Sequence, residues 1–320
     1  MKLGVFLALF GDRSLDEALE RATDLGLQTV EIGTGNYPGS PHLDVKGLLG
    51  SKKKREELLA KIEDYGLEIS ALSCHGNPLH PDKRVANEHH KVFVDTVKLA
   101  AGLGVKVVNG FSGCPGGSEK DRTPNWIVCP WPPDFEQAVA WQWEKKVIPY
   151  WKQQAKLLNK HKVKFAVEMH PGFVVYNTET MRRLHNEAGK AGGANFDPSH
   201  LFWQGMDPLK SLRMLEGMVY HVHAKDCIVD EWNTPVNGVL DTKPYGEELG
   251  RSWIFRTVGY GHGKEFWTDF VSMLRMIGYD GPVSIEHEDS LMSAGEGLSK
   301  AVAFLKEVLL FEKPGAMWWA

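Results

Sequence analysis

The stretch 164–173, "KFAVEMHPGF", reads as an apolar strand that ends on two polar residues just before a Pro-Gly turn. Side chains alternate across a strand, so Ala166, Glu168 and His170 share one face. A carboxylate and an imidazole on the buried face of a strand are costly unless something there uses them. The same rhythm of apolar strand, polar end and helix recurs in both directions along the chain. Upstream, the pattern predicts strands over 3–9, 29–33, 68–74 and 106–111, with helices over 14–26, 52–65, 84–102 and 137–161. Downstream, it predicts strands over 194–198, 219–226 and 282–289, with helices over 178–188, 207–216, 265–278 and 295–310. The helix over 14–26 carries a Ser start and a Gly stop. Strands alternating with helices imply a parallel sheet, and eight repeats imply closure into a (β/α)8 TIM barrel, a single domain over 1–320. An open doubly wound sheet would need a phosphate-binding GxGxxG after the first strand, and "LFGDRS" does not supply it.

The totals suit that fold. A chain of 320 residues can bury roughly three quarters of its unfolded surface, so it needs no covalent staple. A formal net charge of −4 gives no electrostatic reason to expect nucleic acid or an anionic membrane as partner. The basic run "KKKR" at 52–55 reads as a solvated helix start. Cys74, Cys114, Cys129 and Cys227 are scattered without CxxC spacing, which argues against a disulfide framework and suits a reducing cytoplasm. The apolar N-terminus is too short to span a bilayer and reads as the first strand. Trp318 and Trp319 near the C-terminus are candidates for a contact in a homo-oligomer.

In a closed barrel the C-terminal strand ends build the active site. Parity puts Asn195 and Asp197 on one face of strand six, His221 and His223 on one face of strand seven, and Ser284, Glu286 and Glu288 on one face of strand eight. Four consecutive strands thus deliver an ionisable group to one rim. Carboxylates converging there cannot all stay ionised without a cation. The expected partner is one divalent metal held by Glu168, Asp197, His223 and Glu286. Three carboxylates and one imidazole suit Mn²⁺ first, and Mg²⁺, Co²⁺ or Zn²⁺ can take the same ligands. One or two coordination positions then remain for substrate oxygens. His223 is preferred to His221 because it lies nearer the rim, and Glu288 lies past the strand end, toward solvent or a lysine. His75, Glu31 and Asn109 are inward polar positions, divided between substrate contact and structural hydrogen bonding. The segment 112–143 carries Trp126, Trp131 and Trp141 and reads either as an aromatic lid over a sugar or as packing. His262, in "GYGHG", could face the site or solvent.

"EMHP", "FDPSHL", "HVHAKD" and "VSIEHED", each at its own strand end, resemble the xylose isomerase-like TIM barrels, and "SCHGNPLHP" after strand three resembles their sugar isomerase/epimerase branch. The resemblance implies a metal-dependent isomerase or epimerase of a keto-sugar or cyclitol. In such enzymes one of two facing glutamates removes the proton alpha to the carbonyl, the metal stabilises a cis-enediolate, and the other glutamate returns a proton. By position these would be Glu168 and Glu286, and His200 matches a histidine that contacts substrate oxygen. The sequence departs from the epimerases at Val174 and Val229, where they carry a further glutamate and a substrate arginine. The "ExH" pattern also resembles deglycosidases acting on 3-keto-glycosides, which implies an alternative lyase reaction with His170 as base. An endonuclease IV-like reading would require three zinc ions and a basic face. A small carbohydrate is the expected substrate.

Overall fold

The computed structural model describes residues 1–319. Its strands are β1 (Lys2–Phe6), β2 (Thr29–Gly33), β3 (Glu68–Ser73), β4 (Val107–Gly110), β5 (Lys164–Glu168), β6 (Gly192–Phe196), β7 (Val219–Ala224), β8 (Asp226–Val229), β9 (Trp253–Arg256) and β10 (Pro282–Ile285). Eight of them pair in parallel and close in the order β1-β10-β7-β6-β5-β4-β3-β2. Val5, Val30, Ile32, Leu72, Val108, Val167, Phe196 and Val222 are fully buried, and they form the shell between barrel and helices. The opposite strand faces carry Glu31, Ser73, Asn109, Glu168, Asn195, His221, His223 and Ser284, also buried. The barrel therefore packs apolar groups outward under its helices and gathers polar groups inward. That polar interior is held in register by the sheet: Glu168 sits beside Asn195, and Ser284 beside His223.

Two irregularities re-aim side chains at this interior, as bulges near active sites commonly do. The β2–β3 register shifts at Val30/Glu31, and the β6–β7 register shifts at Ala194/Asn195. Local signals fix the helices. Ser14 accepts from the Glu17 N–H at 3.3 Å while the Glu17 carboxylate accepts from the Ser14 N–H at 2.8 Å, a capping box worth about 1 kcal/mol.

The structure differs from the sequence reading in several places. The first strand ends at Phe6, because Leu7–Phe10 coils into a tight turn. The fourth major helix starts at Pro133 and passes through a wide turn at Gln142–Val147 before continuing over Ile148–His161. The seventh strand stops at Ala224. Lys225 interrupts it, and β8 pairs antiparallel with β9 instead. This unforeseen hairpin packs Cys227, Trp253 and Phe255 against Trp203, with the two indoles stacked at 4.6 Å. Cys74, Cys114, Cys129 and Cys227 are free thiols. Among the described residues no helix is long and apolar enough to cross a membrane, and Trp318 and Trp319 are exposed.

Candidate metal centre and active site

Glu168 at the end of β5, Asp197 just past β6, His223 on β7 and Glu286 just past β10 each offer one ligand atom, all within 4.8 Å of one another. Glu168 accepts hydrogen bonds from His75 Nε2 at 3.1 Å, His200 Nε2 at 3.2 Å and Asn195 Nδ2 at 3.3 Å. Burial pushes its carboxyl up, but the bonds from His200, His223 and His75 outweigh this and hold it well below the usual carboxylate range. Asp197 Oδ1 accepts from the Ser199 N–H at 2.8 Å. Its Oδ2 is buried and has no hydrogen-bond partner among the described residues, although Lys225 Nζ and His200 Nε2 stand 3.2 and 3.3 Å away. Such an orphaned oxygen beside two further carboxylates and an imidazole fits a divalent cation with a preference for oxygen.

The imidazole is presented by what lies beneath it. His223 Nε2 is 3.1 and 3.0 Å from the two oxygens of Glu31, leaving Nδ1 to face Glu286 at 3.1 Å and Glu168 at 3.4 Å. Glu31 is fixed in turn by the Ser73 hydroxyl and by Asn109 Nδ2 at 2.9 Å. A ligating histidine anchored from its far nitrogen by a carboxylate is the usual way to set ring orientation and tautomer. Burial raises the Glu31 carboxyl, but the charges of His223 and His221 outweigh it and bring it down to about 2. Burial lowers His223, and Glu31 and Glu286 more than reverse that, so its imidazole titrates well above the ordinary value. His221 lies a layer deeper, bonded to Asn109 and Asn195 at 3.2 and 3.1 Å, and burial brings it down to about 4.

The structure draws some of the remaining candidates into this mouth and leaves others outside it. His75 and His200 both reach Glu168, so they position a candidate ligand. His170 lines the mouth cavity with its Nδ1 2.6 Å from the Pro171 carbonyl oxygen. Burial, with the charge of His200, pushes it down to about 3, so it is a neutral imidazole at neutral pH. Three candidates for substrate contact lie elsewhere. Asn109 is wholly buried beneath the candidate ligands, where it serves Glu31 and His221. Trp126 packs edge-on against Tyr176 at 5.5 Å and lines a separate cleft with Gln142 and Arg183. Its loop is held on the barrel flank because Gln142 Nε2 donates to the Asn125 carbonyl at 2.7 Å. His262 stacks on Phe202 at 3.6 Å, and its Nδ1 is 2.8 Å from Asp226. Asp226 Oδ2 also accepts from the backbone N–H groups of Gly259, Gly261 and His262. The "GYGHG" turn is therefore tethered to this carboxylate, and a Cβ on Gly261 would collide with the Cys227 carbonyl.

Sequence reasoning overlooked Lys225. Its ammonium donates to Glu286 at 2.8 Å and Glu288 at 3.0 Å, and it lies 4.6 Å from the centre of the Phe255 ring. The signal was present in the parity of strand seven, since residues 221, 223 and 225 share a face.

A closed parallel barrel with carboxylates and an imidazole gathered at the C-terminal ends of β5, β6, β7 and β10 defines a TIM barrel with a candidate metal-ligand cluster in its mouth. The chain belongs to the xylose isomerase-like TIM barrel family, whose profile matches residues 19–308. It is 38% identical over 312 residues to the uncharacterized protein YfiH of Bacillus subtilis (strain 168), covering 97% of this chain and 99% of that protein. Among solved structures it is similar to the probable 3-DHS dehydratase AsbF from Bacillus anthracis, with TM-score 0.66, 15% identity and coverage of 96% and 99% of the two chains. It is also similar to the IOLI protein with a bound zinc atom, with TM-score 0.64, 18% identity and coverage of 97% and 98%. A third is D-psicose 3-epimerase with D-tagatose from Clostridium cellulolyticum H10, with TM-score 0.61, 16% identity and coverage of 97% and 99%. At these identities the solved structures share the fold with this chain.

Proposed function

We propose that this protein is a divalent-metal-dependent isomerase or epimerase that moves a proton on the carbon next to the carbonyl of a keto-sugar or cyclitol. The observation that carries this reading is the convergence of Glu168 and Glu286 on the point that Asp197 and His223 also reach. The epimerase and the zinc-bound protein of the same fold lend it support. A cation held by these four residues, manganese being the first choice, would supply fixed positive charge where negative charge develops on substrate oxygens, an effect worth several kcal/mol.

The residues of the chain do the rest. Glu168, ionised under its three donors, accepts the proton as the C–H bond breaks and the electron pair moves toward the carbonyl. For isomerisation Glu168 would hand that proton on to the neighbouring carbon. For epimerisation Glu286 would take a proton from the Lys225 ammonium at 2.8 Å and deliver it to the opposite face, with solvent restoring both groups. A positioned acid or base of this kind contributes roughly 10²–10⁴-fold. Burial raises the Glu286 carboxyl, but Lys225 and His223 outweigh it and keep it ionised in the resting chain, so either glutamate can open the cycle. His75 and His200 hold Glu168 in place, and neutral His170 offers the wall of the cavity a hydrogen-bonding partner for a substrate hydroxyl.

The test is exchange of the alpha hydrogen for solvent deuterium, followed by proton NMR in D₂O. Ketohexoses and inososes are supplied to the Mn²⁺-loaded protein, with Glu168→Gln alongside. Metal-dependent exchange that the variant loses is expected. Release of an aglycone from a 3-keto-glycoside, with no exchange in any ketohexose or inosose, would sink the reading.

A further inference from the structure

The β8–β9 hairpin and the loop between its strands give the mouth a second chamber. The inner cavity, about 220 Å³, contains Glu168, Lys225 and Glu286. The outer one, about 400 Å³, is walled by Tyr245, Ile254, Phe255 and Ser290. His170 and Glu288 line both, which places the two side by side. Sites that bury a drug-sized ligand occupy about 300–1,000 Å³. The inner cavity falls below that range and suits one sugar ring, and the outer cavity gives room for more.

The walls of the outer chamber say what that addition is. Tyr245 lies nearly parallel to Phe255, with ring centres 5.9 Å apart, and is 59% exposed. The Arg251 guanidinium sits 4.4 Å from the Tyr245 ring centre and holds it from one side. Ile254 extends this apolar wall. The same chamber is lined by Ser290, His170 and Glu288, the last held by Lys225. Aromatic and apolar walls interspersed with polar groups match a pyranose, whose C–H face stacks on an aromatic ring while its hydroxyls point sideways. A flat aromatic group would cover the apolar walls and leave the polar groups unpaired, which costs binding energy.

We propose that the outer chamber is a subsite for a second sugar ring, so that the substrate is a keto-sugar bearing a glycosyl group rather than a free monosaccharide. This rests on the reading of the inner cavity as the keto-sugar site. It places the recognition of the second ring on the hairpin insertion, away from the four ligands.

The experiment is isothermal titration of the Mn²⁺-loaded full chain with D-fructose and with the glucosyl-fructoses linked through O3, O4, O5 or O6 (turanose, maltulose, leucrose and isomaltulose). At least one of these should bind ten times or more as tightly as D-fructose. That ratio should fall below about three in Tyr245→Ala, which removes the stacking face, and in Ser290→Trp, which fills the chamber. No disaccharide binding more tightly than D-fructose, or a ratio unchanged in both variants, would overturn the subsite. Tighter binding of 4-nitrophenyl α-D-glucoside than of every disaccharide would assign the chamber to an aryl group and overturn it equally. Binding and chemistry are read separately. A disaccharide preference without deuterium exchange in any bound sugar contradicts the isomerase reading and leaves the subsite standing, whereas exchange in D-fructose without a preference does the reverse.

Discussion

Lys225 Nζ lies 2.8 Å from Glu286 Oε2 inside the candidate ligand cluster, with Asp197 at 3.2 Å and Glu288 at 3.0 Å on its other sides. Burial alone would push this lysine down, but the three carboxylates outweigh it and hold its pKa well above the ordinary value. The chain therefore carries its own countercharge for acidic residues that a metal would otherwise have to neutralise.

Removing that countercharge is predicted to destabilise the metal-free protein. Lys225→Met leaves buried carboxylates without a cation, a change that costs about 3–5 kcal/mol. Mn²⁺ should recover much of the loss, because the ion supplies the missing charge. Thermal melts of the variant and the parent, with chelator and with Mn²⁺, measure both effects. Equal melting temperatures under chelator would show that Lys225 does not play this part.

Glu31 reaches no substrate, yet it decides which nitrogen His223 presents. Glu31→Gln is expected to weaken Mn²⁺ binding about 10–100-fold, the range typical for carboxylates behind a ligating histidine. The Co²⁺-loaded variant should also show a displaced visible absorption band, since the ring it orients has moved. An unchanged metal affinity and an unchanged band would remove Glu31 from the metal centre.

Metal binding should release a proton. His223 in the metal-free chain titrates well above the ordinary histidine value, but a ligating imidazole must be unprotonated. Apparent affinity for Mn²⁺ is therefore expected to rise with pH, by up to about tenfold per unit below the His223 pKa. Titration calorimetry in buffers of different ionisation enthalpy counts the protons directly. The same shift sets the stability of the metal-free chain. A raised pKa contributes stability that is complete below the ordinary value and is lost as pH rises through the folded one. Chelator-treated protein should melt at lower temperature as the pH becomes alkaline, and a melting temperature that climbs instead would reverse the assignment.

Glu168 and His170 share the mouth cavity and should differ in effect. Glu168→Gln is expected to reduce alpha-hydrogen exchange by about 10²–10⁴-fold. His170→Gln keeps a hydrogen-bonding side chain at the wall and should reduce exchange by less than about tenfold, acting mainly on substrate KM. If His170→Gln abolished exchange and Glu168→Gln did not, the base would be the histidine, and the assignment of the glutamates would fall.

Much of this arrangement can be read along the chain because a buried parallel strand with polar residues at alternate positions is an unusual pattern. It points to the barrel interior and to the four candidate ligands together. Lys225 escapes for a related reason: lysine is among the residues least expected inside, and the pattern over 219–226 runs as one strand through it to Asp226. The β8–β9 hairpin was hidden because its short strands are separated by a long stretch rich in turn residues. Single aromatic or imidazole groups in loops carry no periodicity, so nothing local told Trp126 from Tyr245, or His262 from His170. Their places are settled by distant partners such as Gln142 and Asp226.

Asp226 follows Lys225 directly, and its carboxylate tethers the turn at 259–262 while β8 leaves the barrel for the hairpin. The step from the barrel to its canopy is thus one peptide bond wide. A change in length or composition of the segment following Asp226 is therefore expected to remodel what the canopy presents to the mouth and to leave the eight staves and their polar interior as they are.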